Sequence, residues 1–353
     1  MESVHLVIPD LFLSKDLAAE ASAGLSLPAL EKLLGRGHSE LLEPISLEES
    51  LCNSFDMSYR GDAPIAAISA AFDGLAAGFW LRADPVNLNL QRDQLLLGSV
   101  QVGSEEAAAM CESLNAHFAA QGMEFFAPHP QRWYLRLEEL PRIRTNPISE
   151  VIGGDVRRAL PTGEEAARWH QLFNEMQMLL HAHPLNDARE ARGEMTINSL
   201  WFWGGGCDSA NGSLRSSGEP VGLPLAGALL KKNYDSASSD DEPTEMFASA
   251  AGITFSAWPD QWREGGKGDR QLLVWTGLRS ALQGGDLGAW RMALQDFENS
   301  HARPIWQALR SGHIANLRID ILGREGMRRT VLTRGDTRAF WRRSKPLAEY
   351  SVV

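Results

Sequence analysis

The feature that most limits how this chain can fold is its start. Val4, Leu6, Val7 and Ile8 form a short apolar run that meets Pro9-Asp10. Such a run predicts a strand buried on both faces, as in a parallel sheet. Asp10 then stands at the strand's carboxyl end, where open α/β sheets place their ligands.

The length of 353 residues suggests two or three domains. Hydrophobic residues make up 44% and charged residues 22%, as in an ordinary water-soluble globular chain. The net charge of -11 argues against a chain that coats nucleic acid, while permitting a local basic patch. Met1-Glu2-Ser3-Val4-His5 does not open a secretory signal. No segment approaches the roughly 18 apolar residues of a membrane span, and no membrane partner is expected. Cys52, Cys111 and Cys207 are too scattered for a disulfide framework, which suits a reducing cytoplasm.

Further along, Pro28-Ala29-Leu30 begins a helix that Gly35 and Gly37 stop. Residues 78 to 137 read as a small α+β unit, with strands at Phe79-Trp80-Leu81, Leu95 to Val102 and Arg132 to Leu137. Thr162 and Glu165 have the spacing of a capping box opening a helix from Thr162 to His183. Asn198 to Trp203, Leu272 to Trp275 and Leu317 to Ile321 predict strands, and Asp286 to Phe297 a helix. The acidic stretch Asp235 to Glu242 reads as a loop. Arg324 to Lys345 holds eight basic residues around Phe340 and Trp341, against Glu325 and Asp336. That stretch suits a solvated surface, or else a contact with a nucleic acid or an acidic partner.

Several pieces in order resemble the archaeal-type cofactor-independent phosphoglycerate mutases of the alkaline phosphatase superfamily. They are the strand ending at Asp10, the helix from Pro28 to Gly37, Tyr59-Arg60-Gly61-Asp62-Ala63-Pro64 and Phe79-Trp80-Leu81-Arg82-Ala83-Asp84. Asn174-Glu175, His183-Pro184-Leu185-Asn186-Asp187-Ala188-Arg189 and Asn198 to Gly206 complete the series. Asn198 to Gly206 and Glu175 to Leu180 also look typical of a bacterial regulatory offshoot of RpfE type. The resemblance implies an alkaline-phosphatase-like three-layer α/β core with a mainly parallel sheet. It implies core residues 1–60 and 161–353, with an α+β cap inserted at 61–160.

Active members of that family use two divalent ions, which activate a Ser nucleophile and bridge phosphoryl oxygens. Asp10 matches the first acid, with Leu11 where the family has Gly. Ser54 stands where the nucleophile region is shortened, with no adjacent Thr or His, and reads equally as a loop serine. The later "D-H" pair becomes Asp320-Ile321. Asp10 and Asp320 are left as candidates to hold one Mg²⁺ or Mn²⁺, or else as strand-end acids. Arg60, Arg82, His183, Asn186, Arg189 and Asn198 match positions on the substrate side of the family's cleft. They form the candidate site for a phosphate or carboxylate, or, for Arg82 and Arg189, an ion pair between cap and core. Gly204 to Gly206 offers backbone N–H groups to an anion.

The expectation is a degenerate, non-catalytic phosphoglycerate-mutase-like protein that binds a small anion or a protein partner. The alternatives are an active metal-dependent mutase or phosphoesterase, and an interaction protein acting through its basic C-terminus.

Overall fold

The computed structural model describes residues 2–91, 93–208, 230–265 and 269–350, with the backbone alone at 15, 16, 60, 207 and 208. The chain divides into two compact units, Met1–Phe55 with Leu230–Val353, and Asp56–Leu229. Strands of the two main sheets are numbered together in chain order, as are the helices used below.

The first unit is built on a seven-stranded sheet. Its strands are β1 (Glu2–Pro9), β2 (His38–Leu42), β8 (Ser236–Ser239), β9 (Thr254–Ala257), β10 (Arg270–Val274), β11 (Ile314–Leu322) and β12 (Met327–Thr333). The order is β9-β8-β10-β1-β11-β12-β2. The five strands from β9 to β11 run parallel, while β12 and β2 are antiparallel additions at one edge. The opening strand is central, as its apolar run predicts. Val4, Leu6 and Ile8 point to a core shared with Leu317, Ile319 and Ile321.

Helices α1 (Lys15–Ser22), α2 (Pro28–Arg36), α9 (Leu287–Phe297) and α10 (Arg303–Ser311) contribute to that core. Helix α2 begins with Pro28, whose missing N–H costs nothing in a first turn. Two of its free N–H groups, at Ala29 and Leu30, donate to the buried Glu298 carboxylate at 2.9 Å each. A side chain on Gly37 would meet Thr330 Cγ2 at 2.5 Å, so glycine is needed where α2 turns into β2. Between α9 and α10 the helix widens into a π turn at Glu298–Ala302. Pro304 follows at once, and its ring cannot sit over a regular turn.

The second unit is an antiparallel sheet of β3 (Phe79–Gln91), β4 (Gln94–Ser99), β5 (Glu124–His129), β6 (Arg132–Leu137) and β7 (Ser199–Trp203). Helices α4 (Ile65–Phe72) and α5 (Ser104–Phe118) belong to it, as do α6 (Ala166–His181) and α7 (Pro184–Ala191). The α+β character expected for residues 78 to 137 is there.

Three expectations need correction. Residues 161–208 group with the second unit and the first unit resumes only at Leu230, because β7 pairs antiparallel with β3 from Arg82 to Val86 and Trp169 of α6 packs edge-on against Phe202 at 5.4 Å. The capping box at Thr162 does not form. Thr162–Gly163 pairs with Ile143–Arg144 as a short ribbon, and the Glu165 carboxylate accepts from the Arg142 N–H at 2.6 Å. The acidic stretch is not a loop: residues 236–239 form β8 inside the parallel sheet, and Asp241 caps helix α8 (Glu242–Ala251) by accepting from Thr244 N–H at 2.8 Å.

Candidate functional site

Parallel strands deliver their carboxyl ends to one edge of the first unit, and chemistry-bearing side chains gather there. Asp10 directly follows β1, Asp240 directly follows β8, and Thr276 lies two residues past the end of β10. Asp10 has φ of 61°, a left-handed conformation that Asp tolerates better than most residues. Its N–H donates to Leu322 O at 3.1 Å, and its carboxylate accepts from Arg279 Nε at 3.0 Å. Asp240 accepts from both the N–H and the hydroxyl of Thr276, at 2.7 and 3.1 Å. Arg279 is the first residue of a short helix at Arg279–Gln283 and also acts electrostatically on Asp240. The edge therefore holds two acids served by one internal cation.

Asp320 lies elsewhere. It pairs in register with Val7, three residues before Asp10, which is roughly 10 Å at strand spacing. The two acids expected to share an ion are not brought together. Asp320 is fully buried and bonded on every side. It accepts from His5 Nε2 at 3.0 Å, from Arg318 Nε at 2.9 Å and from Arg329 Nε at 2.8 Å. Burial alone would raise its pKa, but these hydrogen bonds hold it well below the usual carboxylate range. His5 goes the other way: burial lowers its pKa, so it stays neutral. A neutral ring that donates from Nε2 to Asp320 accepts at Nδ1 from the Tyr234 hydroxyl, 2.6 Å away.

A divalent ion does not fit either acid as it stands. Arg279 takes up Asp10, and two guanidinium groups already neutralise Asp320. Among the described residues no three His, Cys, Asp or Glu side chains group as a metal site.

Ser54 is the last residue of helix α3 (Leu47–Ser54) and is 4% exposed. Its hydroxyl has no hydrogen-bond partner among the described residues, and its carbonyl accepts from Asn233 Nδ2 at 3.0 Å. A nucleophile needs a neighbouring base and an open approach; burial closes the approach to Ser54, and among the described residues no base bonds to its hydroxyl.

The remaining candidates lie in the second unit. The side chain of Arg60 is outside the described residues. Arg82 is buried and donates to Asp84 Oδ1 at 2.6 Å and to Ser69 Oγ at 3.0 Å, with its guanidinium between the rings of Tyr134 and Trp203. Its ion pair lies within one unit, not between cap and core. The His183-to-Arg189 motif forms a staple. His183 opens α7 by accepting from Leu185 N–H at 3.3 Å, and its Nε2 lies 3.0 Å from Ser113 Oγ. Asn186 donates to Leu180 O and Ile197 O and accepts from Ile197 N–H. Arg189 donates to Met195 O and Gln101 O at 2.8 Å and to Glu106 at 2.6 Å. Asn198 exchanges two bonds with the Leu88 backbone, in place of a ladder pair. These groups spend their bonding capacity on the protein itself. The glycines after β7 also have a packing reason: a side chain on Gly206 would overlap Asp62 O, and one on Gly205 would meet Leu81 at 2.3 Å.

The sequence analysis missed Arg279, Asp240 and Thr276. A signal existed, since each stands within a few residues of a parallel strand's carboxyl end. His5 and Tyr234 gave none, because a lone His in an apolar run reads as core.

No family model matches the chain. A probable 2,3-bisphosphoglycerate-independent phosphoglycerate mutase from Geobacter sulfurreducens is 28% identical over 152 residues, covering 42% of this chain and 38% of that protein. A 2,3-bisphosphoglycerate-independent phosphoglycerate mutase 2 from Methanothermobacter thermautotrophicus is 26% identical over 206 residues, covering 55% and 49%. The chain thus matches half or less of these relatives' length. Among solved structures, the PH0037 protein from Pyrococcus horikoshii shares 13% identity over 99% of this chain and 92% of its own, with a TM-score of 0.54. The chain is therefore related in sequence to the cofactor-independent phosphoglycerate mutases, and its α/β fold with a mainly parallel central sheet is of the alkaline-phosphatase type.

Proposed function

We propose that this chain is a non-catalytic relative of the phosphoglycerate mutases that works by binding. The observation that carries the reading is charge replacement: where the resemblance asks for metal-binding acids, arginines neutralise them. Arg279 stands on Asp10, and Arg318 and Arg329 stand on Asp320. Two-metal phosphoryl transfer needs ions that bridge the attacking and leaving oxygens, and a fixed guanidinium bridges nothing to a nucleophile. The isolated, buried Ser54 supports the same reading.

Between the two expected ligands, a small anion loses ground, because Arg82 and Arg189 are already filled by carboxylates and carbonyls. A protein partner or another extended surface gains it, in keeping with the resemblance to the RpfE-type regulatory offshoot. The test is a phosphoglycerate mutase assay on the purified chain with added Mg²⁺ or Mn²⁺, together with metal analysis. The expected result is no conversion and no tightly bound ion. Metal-dependent turnover that Asp10→Ala abolishes would overturn the proposal and favour an active mutase, the activity for which the curated relatives are named.

A further inference from the structure

The basic C-terminal stretch folds into an exposed aromatic tip with a cationic rim. After β12 the chain turns through a short 3-10 helix at Asp336–Arg338 and then presents Phe340 and Trp341, 78% and 69% exposed. Their rings meet edge to face, with centroids 5.3 Å apart. Backbone bonds draw further cations to the same place. Arg36 Nη1 donates to Thr337 O at 2.7 Å, Arg342 Nη1 to Arg36 O at 2.8 Å, and Arg334 Nε to Arg310 O at 3.2 Å. Arg310, Arg334, Arg338, Arg343 and Lys345 are exposed. The nearby acids are Asp336, bonded to Arg342, Glu349, 3.8 Å from Lys345, and Glu31, which accepts from the Leu347 N–H. The patch is thus strongly positive on a chain whose net charge is -11.

We infer that this tip docks on an anionic lipid surface, with Phe340 and Trp341 entering the boundary between headgroups and acyl chains. Aromatic side chains favour that boundary, and arginines around them meet lipid phosphates. Lipid headgroups move laterally, so they can match cations at any spacing without a complementary shape. A stacked single strand of nucleic acid fits less well, because the perpendicular rings offer no pair of parallel platforms. A second copy docked symmetrically would set like charges together. The sequence predicted no membrane partner because no segment can span one, and among the described residues no helix is long and apolar enough to do so. Surface docking needs no span.

The test is co-sedimentation of the full chain with phosphatidylcholine vesicles, with and without phosphatidylglycerol, at low and high salt. Retention on the anionic vesicles alone, reversed by salt, is expected. R338A and R343A should each weaken partitioning about fivefold, and F340S/W341S should abolish it. These side chains are exposed, and circular dichroism of each variant checks the fold. No retention on anionic vesicles overturns the inference, as does retention unchanged in F340S/W341S. Tighter binding to a single-stranded oligonucleotide than to the vesicles also overturns it. None of these readouts depends on mutase activity.

Discussion

Arg279 Nε lies 3.0 Å from Asp10 Oδ2, at the carboxyl end of the central strand. The pair is partly exposed, so it contributes about 1 kcal/mol or less to stability. Its consequence is electrostatic. Removing the guanidinium should make Asp10 available to a cation and strengthen Mn²⁺ binding about tenfold, since one fixed positive charge at contact distance is lost. Isothermal titration of wild type and Arg279→Ala with Mn²⁺ checks this. Equal affinities would show that Arg279 does not stand in for an ion.

Asp320 makes the opposite case, because it is buried. Asp320→Ala takes the buried acceptor from His5, Arg318 and Arg329 and leaves Arg329 only the more distant Glu40, at 4.0 Å, and breaking such a buried cluster costs about 3–5 kcal/mol. Urea unfolding of Asp320→Ala should show a loss of that size. A loss under about 1 kcal/mol would mean that the arginines relax into solvent.

The same cluster sets a pH dependence. Burial holds the pKa of His5 below its ordinary value of about 6.5, and burial pushes His301 down to about 4. The unfolded chain therefore takes up protons first as pH falls. Stability is complete above about pH 6.5, declines below it, and for His301 continues to decline to about pH 4. Asp320 is shifted downward from a carboxylate's ordinary value of about 3.9, so its contribution survives that range and is lost only at lower pH. His301 stacks on Trp258 with centroids 4.5 Å apart, which makes His301→Phe a conservative probe. Urea midpoints between pH 7 and 4.5 should fall less steeply in His301→Phe than in wild type. Parallel slopes would rule His301 out as a source.

What the sequence revealed, and what it hid, follows from how far apart the interacting groups lie. The opening strand was legible because its run of apolar residues carries its own explanation: Val4, Leu6 and Ile8 pack on one side while the other is also covered. Strand β8 was not legible. Ser236-Ala237-Ser238-Ser239 has no apolar alternation, and it is a strand because β9 and β10 hold its backbone from both sides. The Thr162 box failed for a related reason, since the Arg142 N–H competes for Glu165 from 23 residues away. Asp320 was visible, but His5 and Arg329 reach it only through strand register.

The His183-to-Arg189 motif gives a prediction that separates binding from architecture. Asn186 is buried and joins α7 to the backbone ahead of β7 through two bonds with Ile197 and to α6 through one with Leu180 O. Asn186→Ala leaves those backbone groups unpaired and should cost about 2–3 kcal/mol. Arg189→Lys should also destabilise, because a lysine cannot reach Met195 O, Gln101 O and Glu106 at once. If the motif served a phosphate ligand instead, both variants would keep wild-type stability and lose affinity for inorganic phosphate in titration.

Ser54 allows a prediction whose sign decides between two roles. Its hydroxyl is buried without a hydrogen-bond partner among the described residues, so the folded state bears a desolvation cost that the unfolded chain avoids. Ser54→Ala removes that cost and leaves a space of only one oxygen atom. The variant should match wild type or gain up to about 1 kcal/mol in urea unfolding. The circular dichroism spectrum should not change. A serine kept as a nucleophile predicts a different outcome: unchanged stability together with the loss of any phosphoesterase turnover. Measuring urea midpoints and hydrolysis of a phosphate monoester on the same two preparations distinguishes them. Turnover in wild type that vanishes in Ser54→Ala would place the hydroxyl back in a catalytic role despite its burial.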